Sequence, residues 1–204
     1  MDRKKEFIKI FNLLEKKYKK DKKRLAGEGW DEPWQVVVAT IMSAQSKDEL
    51  TIVIAENLFS KYKTLESLAL AKENDVLKIF KSLNYNKTKA KHVVAFANIL
   101  LSQYFGVVPN TIDELIKLPG VGRKTANLVI TEVYNLPGIC VDTHVHRLCN
   151  VFGIVKTKTP DQTEVELKKL LPKKYWNKIN RYFVLWGKEV SGYDKEKLLN
   201  HILN

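Results

Sequence analysis

Apolar residues along this chain recur at helical spacing, and no segment alternates apolar with polar residues between two turn signals. Phe7, Ile10, Phe11, Leu14 and Tyr18 form one such stripe. Val36-Val-Val38 is β-branched, but it sits inside a helical pattern that opens at Pro33, a residue suited to a first helical position. Ser46 with Glu49 reads as a capping box, which ends one helix near Gln45 and starts the next at about Lys47. Thr111 with Glu114, and Thr159 with Gln162, repeat the signature. Further helical stretches are expected over 64–71, 73–83, 87–105, 123–135, 143–153, 174–190 and 195–203. The expected fold class is all-α, with short loops and no linker or repeat.

A length of 204 residues allows one domain or two small ones, and a hydrophobic fraction of 45% can fill a core. The net charge of +12 favours a polyanionic partner, nucleic acid first and anionic membrane second. The basic run Lys16–Arg24 reads as a solvated helix end and loop ahead of a specific DNA contact. The two cysteines, Cys140 and Cys149, lie in apolar surroundings and form no Cys-x-x-Cys. They are expected to be reduced, buried thiols of a cytosolic protein, with a disulfide the weaker alternative. No stretch reaches the apolar length of a membrane span, and no signal-peptide pattern is present. A cytoplasmic, nucleoid-associated protein without a membrane partner is the expectation.

The chemistry concentrates in Leu118-Pro-Gly-Val-Gly-Arg-Lys-Thr-Ala126 and Val141-Asp-Thr-His-Val-His-Arg147. Pro119-Gly-Val-Gly122 lies between two amphipathic segments. Glycine allows positive φ and close backbone approach, and a helix starting near Arg123 turns its unpaired N–H groups toward the same spot. That geometry holds a phosphate without reading a base. An ordinary helix–helix turn with a capping glycine is the plainer alternative. Lys124 falls in the first turn of that helix, where the dipole disfavours a cation by about 0.3–1 kcal/mol. Desolvation would have to add to this before a neutral amine became a good nucleophile. Asp142 suits an N-cap, and a capping carboxylate can also stabilise positive charge. His144 and His146 have no companions at metal-ligand spacing, so no metal site is expected.

Together these strings resemble the endonuclease III family of helix-hairpin-helix DNA glycosylases and AP lyases. Met42-Ser-Ala-Gln-Ser-Lys-Asp48 is similar to that family's Leu-Ser-Ala-Gln-x-x-Asp segment, and Lys89-Ala90 to a further Lys-Ala. The match runs from about residue 7 to 186. The resemblance implies a two-lobed fold: a six-helix lobe over 27–136, a lobe from 1–26 and 137–204, and a DNA cleft between them. It implies Lys124 as the Schiff-base nucleophile and Asp142 as the carboxylate. It implies DNA contacts from Pro119, Gly120, Val121, Gly122, Arg123, Lys89, Thr143 and His144. Gln45 would enter the duplex where a base is extruded, and Tyr85 would be a second wedge. A C-terminal cap or surface role for Gln45 is weighted equally.

The expected activity is excision of a damaged base, an oxidised pyrimidine first, then strand cleavage by β-elimination. A uracil or mismatched-thymine glycosylase, or a non-catalytic hairpin module, are the alternatives. The partner is double-stranded DNA bearing a damaged base or abasic site, bound by a monomer. Three departures from the family pattern stand out. Asn84-Tyr85-Asn86 replaces glycine, a large apolar residue and an aromatic. Ile116 stands where a glutamate is expected. The family usually ends in four cysteines that bind a [4Fe–4S] cluster, but none follows Cys149 here. No cofactor is therefore expected, with helical packing as the terminal clamp instead.

Overall fold

The apolar stripes read from the sequence are realised as helices in the computed structural model, which describes residues 2–203. Among the described residues there are α-helices, one short 3-10 turn and no strand. Residues 1 and 204 of the expected terminal lobe lie outside the described residues. The chain divides into two compact units, one over 24–135 and one joining the residues up to 23 with those from 136 on.

The 24–135 unit holds α2 (Pro33–Ser43), α3 (Asp48–Lys61), α4 (Leu65–Ala69), α5 (Glu73–Ile79), α6 (Asn86–Tyr104), α7 (Ile112–Leu115) and α8 (Arg123–Glu132). Helix α2 is apolar on nearly every side, and Val37, Val38, Ala39 and Met42 are fully buried. It packs on α3, α6 and α8, so it is the axis of the unit. Leu58, Phe80, Phe96, Leu100 and Leu115 complete a core that reaches Leu118 and Val121 of the α7–α8 turn. Each large side chain buried there contributes about 1.5–3 kcal/mol. The hairpin turn is therefore anchored from beneath by the same core that holds α2.

The other unit holds α1 (Arg3–Tyr18), α9 (Thr143–Val151), α10 (Pro160–Leu170), a 3-10 turn at Lys173–Tyr175, α11 (Trp176–Glu189) and α12 (Lys195–Leu203). The α1 stripe faces α11: the Phe7 and Phe183 rings stack with centroids 6.1 Å apart, and Tyr182 meets Phe11 edge-on. Helix α12 packs on α1, and its Leu198 and Ile202 are buried. Glu189, at the end of α11, accepts from the Tyr18 hydroxyl at 2.6 Å and from Lys23 Nζ at 2.7 Å. Burial works to raise the Glu189 pKa, but these donors outweigh it and hold the carboxyl below its usual range.

Several helix ends differ from the expectation. Helix α2 stops at Ser43, two residues short of Gln45, and Lys47 caps α3 without a side-chain bond. Ser46 is no capping residue, because its hydroxyl accepts from Lys89 Nζ at 3.0 Å instead. Thr111 and Thr159 do cap, each accepting from the N–H three residues on. The reciprocal halves go elsewhere: Glu114 takes the Tyr104 hydroxyl and Lys117, and Gln162 takes the Lys158 N–H. Helix α8 ends at Glu132, three residues short of the expected 135.

Candidate nucleic-acid interface and reactive residues

The α7–α8 turn is built by two buried anchors and two glycines that serve different ends. Leu118 and Val121 are buried, and the Val121 N–H closes the turn on the Leu118 carbonyl at 3.1 Å. Gly120 has φ +77°, and a Cβ there would lie 3.0 Å from His92 Cβ and 3.1 Å from Ile41 Cγ2. Fold and packing alone therefore demand glycine at 120. Gly122 is the N-cap of α8 with φ −91°, an ordinary value. No neighbouring atom lies within 4 Å of where its Cβ would sit. Nothing inside the unit requires glycine there, so the open side of the turn is where a close approach from outside would be used.

Arg123 and Lys124 follow as the first two residues of α8, both exposed, with Pro119 half-buried before them. Thr125 and Ala126 turn inward. The turn thus presents backbone donors, a guanidinium and an amine on one exposed end of a helix whose far side is core. Ile116, the departure at the expected glutamate, is 46% exposed just before the turn.

Asp142 lies in the other unit. It is the N-cap of α9, half-buried, and accepts the Val145 N–H at 2.8 Å. The cap and the carboxylate are one group here. Behind it, burial first and the Asp142 charge second push the Cys149 thiol well above its usual range. Thr143 is exposed beside it, and His144 is half-buried. His144 packs against α11 at Gly187: a Cβ there would come within 2.7 Å of His144 Cβ. Arg147 closes the C-terminal end of α11, donating to the carbonyls of Gly187, Val190 and Gly192. His146 joins Thr163 at 2.7 Å in a polar cluster with Asn150 and Thr157. These contacts lie within the terminal unit and give His146 a structural role.

Gln45 and Tyr85 are exposed, and both have left-handed backbones, φ 52° and φ 55°. Each costs about 1–2 kcal/mol outside glycine. Phe105 and Asn135 share this conformation, but Phe105 is the C-cap of α6, where a left-handed residue is routine. Tyr85 instead precedes a helix, and Gln45 sits inside a loop. Lys89 is placed differently from an exposed DNA contact. It is 4% exposed, and its Nζ donates to the Met42 carbonyl at 2.7 Å and to Ser46 Oγ. Burial lowers its pKa to about 8. Sequence reasoning missed this brace and the Gly187 seat, since neither leaves a local pattern.

A [4Fe–4S] cluster, usual in the family that the sequence resembles, needs four thiolates. The chain has two cysteines, and both are buried at 0–1% exposure in apolar core, so the residues present do not fit one.

Comparison with known proteins places the site in context. The family model described as HhH-GPD superfamily base excision DNA repair protein matches residues 38–173. Endonuclease III of Thermotoga maritima is 43% identical over 159 residues, covering 78% of this chain and 75% of that protein. Endonuclease III of Rickettsia conorii is 36% identical over 182 residues, covering 89% and 85%. The solved structure of a trapped endonuclease III–DNA covalent intermediate, an estranged-adenine complex, superposes with a TM-score of 0.84. It is 28% identical and covers 91% of this chain and 86% of that one.

Proposed function

The chain belongs to the HhH-GPD superfamily of base excision DNA repair proteins, and within it we propose that it works as an endonuclease III, a DNA glycosylase and AP lyase. One observation carries the reading furthest: an exposed lysine in the first turn of α8, directly after a glycine turn whose outer side is open. The turn's N–H groups and Arg123 would hold a backbone phosphate and fix the strand relative to Lys124. The Lys124 amine would attack the sugar C1′ as the bond to the base breaks, and the base leaves with the bonding electrons and a proton. Opening of the sugar ring gives an imine between Lys124 and C1′. Loss of a C2′ proton then expels the 3′ phosphate and cuts the strand. The Asp142 carboxylate would offset the positive charge at C1′ and take part in proton transfer.

The preferred substrate is double-stranded DNA bearing an oxidised pyrimidine, acted on by a monomer in the cytoplasm at the nucleoid. Among the described residues no helix is long and apolar enough to cross a membrane. No cluster enters the mechanism. The terminal unit is held by α12 on α1 and by the Arg147 and Glu189 contacts.

Borohydride trapping on duplex DNA with an abasic site tests the reading. A covalent adduct is expected, and it disappears in Lys124→Ala. An adduct of wild-type yield in Lys124→Ala would overturn the assignment. No adduct from the wild type would favour a binding module. Release of base from duplexes carrying thymine glycol, uracil or a G·T mismatch separates the substrate readings.

A further inference from the structure

Two loops of the 24–135 unit carry the residues assigned to duplex opening, Gln45 after α2 and Tyr85 before α6. They are far apart in sequence, yet two side chains join them. Asn84 Nδ2 donates to the Gln45 carbonyl at 2.6 Å. Lys89 Nζ donates to the Met42 carbonyl and to Ser46 Oγ, one bond on each side of Gln45. The Gln45 loop is therefore held at three points, and every donor comes from the segment that carries Tyr85. That segment is itself fixed: Leu83 is buried, its N–H bonds the Phe80 carbonyl at 2.8 Å, and Asn86 Nδ2 donates to the Lys81 carbonyl at 3.1 Å. Gln45 and Tyr85 both keep left-handed backbones that an unbraced loop would leave.

We infer that Asn84 and Lys89 are positioning residues that lock Gln45 and Tyr85 into one preformed double wedge for opening the duplex. The reading rests on the proposed DNA glycosylase function and on the assignment of those two residues to insertion. Entering a base stack costs unstacking energy, and a loop that must also be ordered at that moment adds its own entropy. A braced tip has lost that entropy already, so more of the contact energy goes into holding the duplex open. Glycine, the residue expected at 84 by the family pattern, has no side chain to make the Gln45 bond. Asn84 thus turns a departure from the pattern into a brace that is this chain's own.

The experiment follows 2-aminopurine fluorescence in a duplex with a tetrahydrofuran abasic analogue, the fluorophore placed opposite it. The full-length protein is mixed in by stopped flow. Asn84 is exposed, so Asn84→Ala should fold normally. Opening should slow by about two- to tenfold, the net worth of one hydrogen bond. Lys89→Met should slow it at least as much, with folding checked by circular dichroism. In a Gln45→Ala/Tyr85→Ala background, Asn84→Ala should add less than about twofold, because the brace has nothing left to aim. Borohydride trapping of Asn84→Ala on single-stranded abasic DNA, which has no duplex to open, should match wild type. Wild-type opening by Asn84→Ala overturns the inference, as does an undiminished effect in the double-variant background. If Gln45→Ala and Tyr85→Ala themselves open the duplex normally, the wedge assignment fails and the brace with it. Loss of trapping by Lys124→Ala would still stand as the separate mark of the lyase.

Discussion

Single residues here carry more than the sequence displays. Gly120 and Gly122 look alike in Pro119-Gly-Val-Gly122, yet one is required by the fold and the other is not. Gly120→Ala puts a Cβ against His92 and Ile41 at φ +77°. It should destabilise the protein by about 1–3 kcal/mol, read as a lower urea midpoint. Gly122→Ala meets no neighbour and should unfold within about 0.5 kcal/mol of wild type. It should nonetheless weaken binding to an abasic-analogue duplex by about tenfold, measured by fluorescence anisotropy, through loss of one charge-assisted hydrogen bond. If both variants behave alike, the division of labour between the glycines is wrong. The motif made both glycines legible, but only the atoms around each separate their roles. Ser46 teaches the converse. Its spacing to Glu49 suits a capping box, but a buried lysine from forty-three residues away claims the hydroxyl. A buried amine without partners costs more than a missing cap, so the long-range bond wins.

At the scale of elements, the helices were legible because their apolar stripes persist over several turns. Their ends were less so. Helix α2 was expected to run to Gln45, but Lys89 binds the Met42 carbonyl and draws the chain out of the helix near there. That tie between α2 and α6 has a pH signature. Burial lowers the Lys89 pKa to about 8, so below that pH the folded protein carries a disfavoured charge. The unfolded chain keeps its proton up to the usual lysine range, so stability should rise as pH goes from about 8 to 10. The gain, about 1–3 kcal/mol by the worth of each pKa unit, should be missing in Lys89→Met when urea midpoints are compared across that range. Glu189 has the same sign of pH dependence, but at the acid end of the scale. Its pKa is depressed, so its contribution is present above the usual carboxylate range and fades as pH falls through the lowered value. Glu189→Gln should cost about 1 kcal/mol at neutral pH and converge with wild type in acid. An equal cost at both pH values would mean that the charge on Glu189 is not what joins α11 to Tyr18 and Lys23.

At the scale of the molecule, the sequence announced the partner through charge and the chemistry through one motif, while the cofactor question depends on how the terminal unit is held. The net charge of +12 should make DNA affinity fall steeply with salt, by a slope of about 0.9 per phosphate neutralised. A slope near zero would leave the basic excess without a role at the DNA. The C-terminal segment is a different matter, because nothing in its composition says what fixes it. Two buried cysteines cannot supply the four thiolates of a cluster, so the segment must be fixed by packing and hydrogen bonds. Leu198, fully buried in α12, is the apolar anchor of that arrangement, and Arg147 reaches three carbonyls from Gly187 to Gly192. Leu198→Ala should therefore cost about 2–5 kcal/mol and expose the segment after Glu189 to limited proteolysis. Pure wild-type protein should contain iron and acid-labile sulfide well below one cluster per chain. Stoichiometric iron with sulfide, or a Leu198→Ala segment as resistant as wild type, would return the task of holding the terminus to something other than helix packing.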